Sequence, residues 1–227
     1  MFLQIQTKLN TEDLNGALTD LNNLINYRPK LISAYLQRGA LQWRLSRVEE
    51  ALEDWTAVLN LEANHPQALN NRAVAHLTLG QLPAALADLD QLIAVDPQFP
   101  GAYYNRSLVH SRMENYEAAL ADVSAALDQE VENPEVYQLR GIARYFLGDQ
   151  PGALADLNQA LELDPNRATA LQNRGYMRVE AEDMEGQTDL QKALELALEG
   201  DQLDLYRQVL EYQQQVAARR QSQEEAP

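Results

Sequence analysis

Residues 134–165 read Pro-Glu-Val-Tyr-Gln-Leu-Arg-Gly-Ile-Ala-Arg-Tyr-Phe-Leu-Gly-Asp-Gln-Pro-Gly-Ala-Leu-Ala-Asp-Leu-Asn-Gln-Ala-Leu-Glu-Leu-Asp-Pro. Val136, Leu139, Ile142, Ala143 and Phe146 fall at helical spacing before Gly148-Asp149 breaks the pattern. A second apolar run starts at Ala153-Leu154, passes through Leu157, Ala160, Leu161 and Leu163, and stops at Asp164-Pro165. Pro151 sits in the first turn of that second helix, where no N–H is required. The stretch therefore predicts two helices joined by a short turn. No strand-like alternation occurs, so the expected fold class is all-α.

The same pattern recurs along the chain with a period of 34 residues. Ala17, Ala51, Ala85, Ala119 and Ala153 form one column, each followed by Leu. Gly39, Ala73, Ser107, Gly141 and Gly175 form a second that holds only small side chains. Tyr35, Leu69, Tyr103, Tyr137 and Leu171 form a third, and Pro marks the boundaries at 29, 97 and 165 and at 66, 100 and 134. Small columns have a physical cause: where two helices cross closely, only Gly, Ala or Ser lets the backbones approach.

These columns resemble the tetratricopeptide repeat (TPR) family, and Asn-Arg-Gly at 173–175, Leu-Gly at 79–80 and 147–148, and Leu-Asp-Pro at 163–165 look like its bacterial members. The ankyrin period is near, but its Thr-Pro-Leu-His signature is absent. The TPR resemblance implies a right-handed α-solenoid of stacked helix-turn-helix hairpins, with first helices lining a concave groove. The expected organisation is an atypical, partial repeat over 1–30, five repeats at about 32–65, 66–99, 100–133, 134–167 and 168–200, a C-terminal capping helix over 201–222, and a polar tail over 223–227. Three departures stand out. The first helix before residue 12 is short and puts Ile5 where a small residue belongs; the last repeat has Gly186 in place of Ala, 33 residues after Ala153; and Leu205, Tyr206, Val209, Tyr212 and Val216 form an amphipathic stripe suited to a cap.

Composition narrows the function. Lys+Arg 18 against Asp+Glu 34 gives a net charge of -16, which argues against nucleic acid or an anionic membrane as partner. Cysteine is absent, which excludes disulfides, thiol catalysis and thiolate metal sites. No apolar run exceeds four residues, so membrane insertion is not expected, and Met1 to Gln6 lacks the basic leader and apolar stretch of a secretory signal. The expected location is the cytoplasm, in keeping with the bacterial character of the repeats.

Of 18 cations, 15 are Arg. Arg38, Arg72, Arg106, Arg140 and Arg174 precede the small column, and Asp20, Asp54, Asp88, Asp122, Asp156 and Asp189 recur on the second helices. Two readings stand: a row of ligand-binding arginines, or an internal Arg–Asp ladder between helices, the favoured one. Pairing each Asp with the Arg of the next repeat (20–38, 54–72, 88–106, 122–140, 156–174, 189–207) gives a constant separation of 18 and draws in Arg207 of the cap. The expected ladder therefore joins the second helix of one repeat to the first helix of the next.

His76 and His110 share a column that continues as Arg144 and Arg178; no further ligands complete a metal set, so a hydrogen-bonded seam is the expected role. No Gly-rich phosphate loop or nucleophile elbow is present, and neither an enzyme nor a cofactor is expected. By the resemblance, the groove takes Leu36, Asn70 and Tyr104; Val74, Leu108, Ile142 and Tyr176; and Trp43, Leu77 and Tyr145. Its middle column is apolar, which fits either helix-to-helix packing or a surface for a peptide or helix. No groove position is Lys, so a clamp for a C-terminal carboxylate is not expected. The reading is a non-enzymatic protein–protein interaction scaffold that holds an apolar, aromatic-anchored or basic segment of another protein. The alternative is an assembly subunit docked permanently in a larger complex, with self-association left open.

Overall fold

The computed structural model describes residues 2–129 and 133–224; residues 1, 130–132 and 225–227, which include the end of the expected third repeat and most of the polar tail, lie outside the described residues. The described residues form thirteen helices and no strand: α1 (Phe2–Asn10), α2 (Leu14–Tyr27), α3 (Ile32–Arg44), α4 (Val48–Leu61), α5 (Pro66–Thr78), α6 (Leu82–Val95), α7 (Ala102–Arg112), α8 (Tyr116–Asp128), α9 (Pro134–Phe146), α10 (Gln150–Leu163), α11 (Ala168–Glu180), α12 (Glu185–Glu199) and α13 (Leu203–Glu224). They fall into two compact units, 1–115 and 116–227. Within each unit consecutive helices pack on one another, the arrangement of a TPR α-solenoid.

Local chemistry sets the helix ends. Pro134 opens α9 while the Asn133 side chain accepts the Glu135 N–H, and Asp149 caps α10 by accepting the Gly152 N–H at 3.0 Å. Every turn inside a hairpin contains one residue in the left-handed region, at Glu12, Ser46, Gly80, Glu114, Gly148 and Glu182, with φ from 58 to 86°. These six positions repeat every 34 residues, although only two of them are glycine.

The two small columns meet at the helix crossings. A Cβ on Gly141 would lie 3.1 Å from the Ala153 carbonyl, and one on Gly175 would lie 3.0 Å from that of Gly186. Around the crossings in the first unit, Leu69, Leu89, Leu92 and Val109 are fully buried together, and Ile5, Ala17 and Leu21 form a separate cluster. Ile5 therefore fills the short first hairpin from within. In the second unit Leu157, Ala160 and Ala170 are fully buried, as are Leu190 and Val209. Each such Leu contributes roughly 1.5–3 kcal/mol by leaving water.

The arginine column is bonded differently from the expected pairing. Arg38 grips Asp54 through Nη2 and Nε at 2.5 and 2.9 Å, Arg72 grips Asp88, Arg140 grips Asp156 and Arg174 grips Asp189. These pairs lie 16 residues apart, or 15 in the shortened last hairpin, and join the two helices of one hairpin rather than neighbouring hairpins. The crossing explains why. The small residue after the arginine lies against the Asp-bearing turn, with a Cβ on Gly39 only 3.2 Å from Asp54 Cβ, so the guanidinium faces its own hairpin's carboxylate. The ends of the expected ladder also differ. Asp20 pairs with Lys8 at 2.7 Å, and Arg207 meets Asp204 on its own helix at 3.3 Å with both side chains exposed.

A tie between hairpins exists nonetheless, through the remaining nitrogen. Nη1 of Arg38, Arg72, Arg106 and Arg174 reaches back to Asn22, Thr56, Asp90 and Asn158, each 16 residues earlier on the preceding second helix. Where the column three residues before carries Tyr, the guanidinium also lies over its ring, 5.7 Å from Tyr35 and 5.5 Å from Tyr137. Arg38 and Arg140 are held above the usual arginine range by their bonds to Asp54 and Asp156. Burial pushes the Asp54 carboxyl up, against the pull of Arg38.

Candidate functional site

In the first unit the expected groove residues project from α3, α5 and α7. Leu36, Trp43, Asn70, Val74, Tyr104 and Leu108 are half-buried, and Leu77 is buried. Trp43 leans on Trp55 with ring centroids 6.0 Å apart, and Leu36 packs on the same cluster. Leu108 rests on the core formed by Val58, Leu69 and Val109. Two polar bonds stitch α5 to α7 along this face: Asn105 donates to Asn70 at 2.9 Å, and Arg112 donates to the Leu77 carbonyl at 3.0 Å. The face thus combines partly accessible apolar and aromatic side chains with a rigid polar seam. Such a surface can take up apolar side chains of a second chain while offering amides for its backbone.

In the second unit the corresponding residues are Ile142 and Tyr145 on α9 and Tyr176 on α11, all half-buried. The Tyr145 hydroxyl donates to Glu180, 35 residues on, and this bond pushes the phenol pKa up to about 12. Tyr176 is taken up by the chain itself. The Tyr212 ring on α13 lies 4.1 Å from it, the Tyr212 hydroxyl donates to the Tyr176 carbonyl at 3.4 Å, and Gln172 bonds both Tyr176 and Gln208. Burial pushes the Tyr176 and Tyr212 phenols up. The helix α13 therefore lies where the first helix of another hairpin would, beginning one period and one residue after the start of α11, and it covers Val179, Leu190 and Leu194.

The histidine column turns out to be a second partner for the buried acids. His76 Nε2 stands 3.9 Å from Asp88 and its Nδ1 is 2.6 Å from Gln81, while Arg144 and Arg178 reach Asp156 and Asp189 at 2.8 and 3.0 Å. Among the described residues no group of three or more His, Asp or Glu is placed to hold a metal ion, and no helix is long and apolar enough to cross a membrane. Sequence reasoning missed the Trp43–Trp55 and Tyr176–Tyr212 contacts, and the polar column at 22, 56, 90 and 158 that receives the arginines. That last column was visible in principle, being polar at each of those positions.

Comparison with known proteins agrees with this architecture. The family profile of the tetratricopeptide repeat matches residues 36–103, 75–136 and 104–168. No curated protein sequence matches the chain. Among solved structures, a tetratricopeptide repeat protein from Parabacteroides merdae ATCC 43184 is similar at 17% identity and TM-score 0.74, covering 94% of this chain and 90% of that one. MamA residues 41 to the end from Desulfovibrio magneticus RS-1 are similar at 23% identity and TM-score 0.68, covering 75% and 97%. YrrB, described as a TPR protein with an unusual peptide-binding site, is similar at 19% identity and TM-score 0.64, covering 80% and 97%. At these identities the likeness is one of fold. The profile matches extend over more than half of the residues, and the chain belongs to the tetratricopeptide repeat family, whose members mediate protein–protein interactions.

Proposed function

We propose that the chain is a non-enzymatic scaffold, built of five repeats between residues 32 and 200 and closed by α13, that holds an apolar or aromatic-anchored segment of another protein. The observation that carries this reading is the first-helix face of the first unit. There Leu36, Trp43, Val74, Tyr104 and Leu108 keep part of their surface accessible beside the Asn70–Asn105 bond. The arginine column takes no part in capture, because its guanidinium groups are engaged by internal carboxylates. The site of action is the cytoplasm of a bacterial cell, in keeping with the character of the repeats.

The test is affinity purification from the native organism, with mass spectrometry of what co-elutes, on the wild type and on Tyr104→Arg, Leu108→Arg and Ile142→Arg variants. Tyr104→Arg and Leu108→Arg should lose the partner while circular dichroism keeps its helical signal; retained capture would refute the groove. Trp43 and Trp55 are the only tryptophans and both belong to this face's hairpin, so partner addition should also change intrinsic fluorescence.

The second reading is an assembly subunit docked permanently in a complex. It draws support from the Tyr212–Tyr176 contact, through which the chain fills part of its own first-helix face. Sedimentation of the isolated chain separates the two: a stable monomer favours transient capture, whereas persistent self-association favours the subunit.

A further inference from the structure

The charge is distributed unevenly. Residues 1–115 carry twelve acids and nine bases, a net of -3, whereas residues 116–227 carry 22 acids and nine bases, a net of -13. Between 116 and 166 there are ten acids and only two cations, Arg140 and Arg144, and both are engaged by Asp156.

On this acidic unit sits an aromatic side chain that the fold does not require. The column of residue 146 holds Arg44, Thr78, Arg112 and Glu180 in the other hairpins, all polar, but Phe146 here. Phe146 is 57% exposed, with the exposed Leu147 beside it. One of its faces stacks on Tyr116 with centroids 4.3 Å apart, and Tyr145 meets it edge-on at 5.5 Å. One carboxylate is bonded to this aromatic cluster, and two more lie close by in the chain. Glu180 is bonded to the Tyr145 hydroxyl; the exposed Glu117 follows Tyr116 in the chain, and Asp149, three residues after Phe146 with its side chain 54% exposed, caps α10 and lies 3.8 Å from Arg144. An exposed ring held flat by a second ring on a strongly acidic unit suits a planar cation, since guanidinium stacks on an aromatic face while its N–H groups can meet carboxylates.

We infer that the Phe146–Tyr116 platform is a docking site for an arginine-bearing basic segment of a partner protein. This surface belongs to the second unit and does not depend on the apolar face of α3, α5 and α7. Charge complementarity selects this occupant: a second copy of the chain would bring like charge, and an acidic segment would be repelled.

The probe is a fluorescein-labelled decapeptide of alternating arginine and glycine, titrated with the full chain by fluorescence anisotropy. Matching peptides of lysine, glutamate or leucine with glycine serve as comparisons. The arginine peptide should bind best, the glutamate and leucine peptides should not bind, and added salt should weaken the complex. Phe146→Ala and Phe146→Leu should weaken arginine-peptide binding about fivefold, and Phe146→Tyr should restore it. These variants leave every charge in place, and the Leu variant keeps apolar contact with Tyr116. Unchanged binding on loss of the ring would mean diffuse attraction to the acidic unit and would overturn the proposal. So would absence of arginine-peptide binding to the wild type, equal binding of the leucine peptide, or self-association that depends on Phe146. Tyr104→Arg and Leu108→Arg should bind the arginine peptide normally, which keeps this test distinct from that of the groove.

Discussion

Arg38 reaches forward to Asp54 with Nη2 and Nε and backward to Asn22 with Nη1 at 2.7 Å, so one guanidinium ties α3 to both α4 and α2. Asp54 is only 2% exposed, and its carboxylate has no access to solvent that could replace the arginine. Truncating one partner leaves a buried charge uncompensated. Arg38→Ala is therefore expected to cost about 3–5 kcal/mol, whereas the double variant with Asp54→Ala should cost less than the two singles combined. Urea denaturation of the four proteins closes the cycle; additive losses would mean the pair contributes no coupling.

The left-handed turn residues offer a second test. Glu12, Ser46, Glu114 and Glu182 adopt the backbone conformation that Gly80 and Gly148 adopt in their own turns. A side chain there costs roughly 1–2 kcal/mol, part of which glycine's greater freedom in the unfolded chain offsets. Glu182→Gly should therefore raise the unfolding free energy by about 0.5–1 kcal/mol, and Gly148→Ala should lower it by about 1 kcal/mol. Thermal melts of the two variants should move in opposite directions.

Gly186 breaks the alanine column, and its surroundings explain the exception. A Cβ there would lie 2.7 Å from the Val179 backbone nitrogen and 2.9 Å from Arg178 Cβ, so the shortened hairpin brings α11 and α12 closer than an alanine allows. Gly186→Ala is expected to lose about 1–3 kcal/mol. Restoring the repeat's own consensus residue should thus lower the melting temperature.

Tyr145 predicts a pH dependence. Its phenol is raised from 10.0 to about 12 by Glu180, so the folded state holds the proton more tightly than the unfolded chain does. The resulting stability is fully present below pH 10 and is lost as the pH rises through about 12. Between these values the wild type should lose stability more steeply than Tyr145→Phe. Equal slopes in alkaline denaturation would show that the bond to Glu180 contributes nothing to folding.

Much of the architecture is legible in the residues alone, because a 34-residue period multiplies each weak signal. Small residues at 39 and 51, or 141 and 153, announce close helix crossings whatever the surrounding chain does. The ladder was harder to read. A constant separation of 18 looked decisive, yet Arg207, which completed it, sits on an exposed pair with Asp204. Sequence separation alone does not say which helix faces meet; the position of Arg38 next to Gly39, at the crossing with Asp54, was the more informative clue. The candidate site was less legible still. An apolar column reads the same whether it is covered, as Tyr176 is by Tyr212, or partly open, as Leu108 is.

The two-way grip of the arginines has a consequence for how such a chain changes length. Within the regular part of the array, the forward carboxylate and the backward acceptor each stand 16 residues from the arginine, and together they fill almost one whole period. Excising or duplicating 34 residues inside a unit would join an arginine to partners at unaltered distances, whereas a shorter insertion between an arginine and either of its partners would change that separation. Gene rearrangements that copy whole periods leave the internal wiring intact, so a descendant could grow longer or shorter while its hairpins remain interchangeable parts.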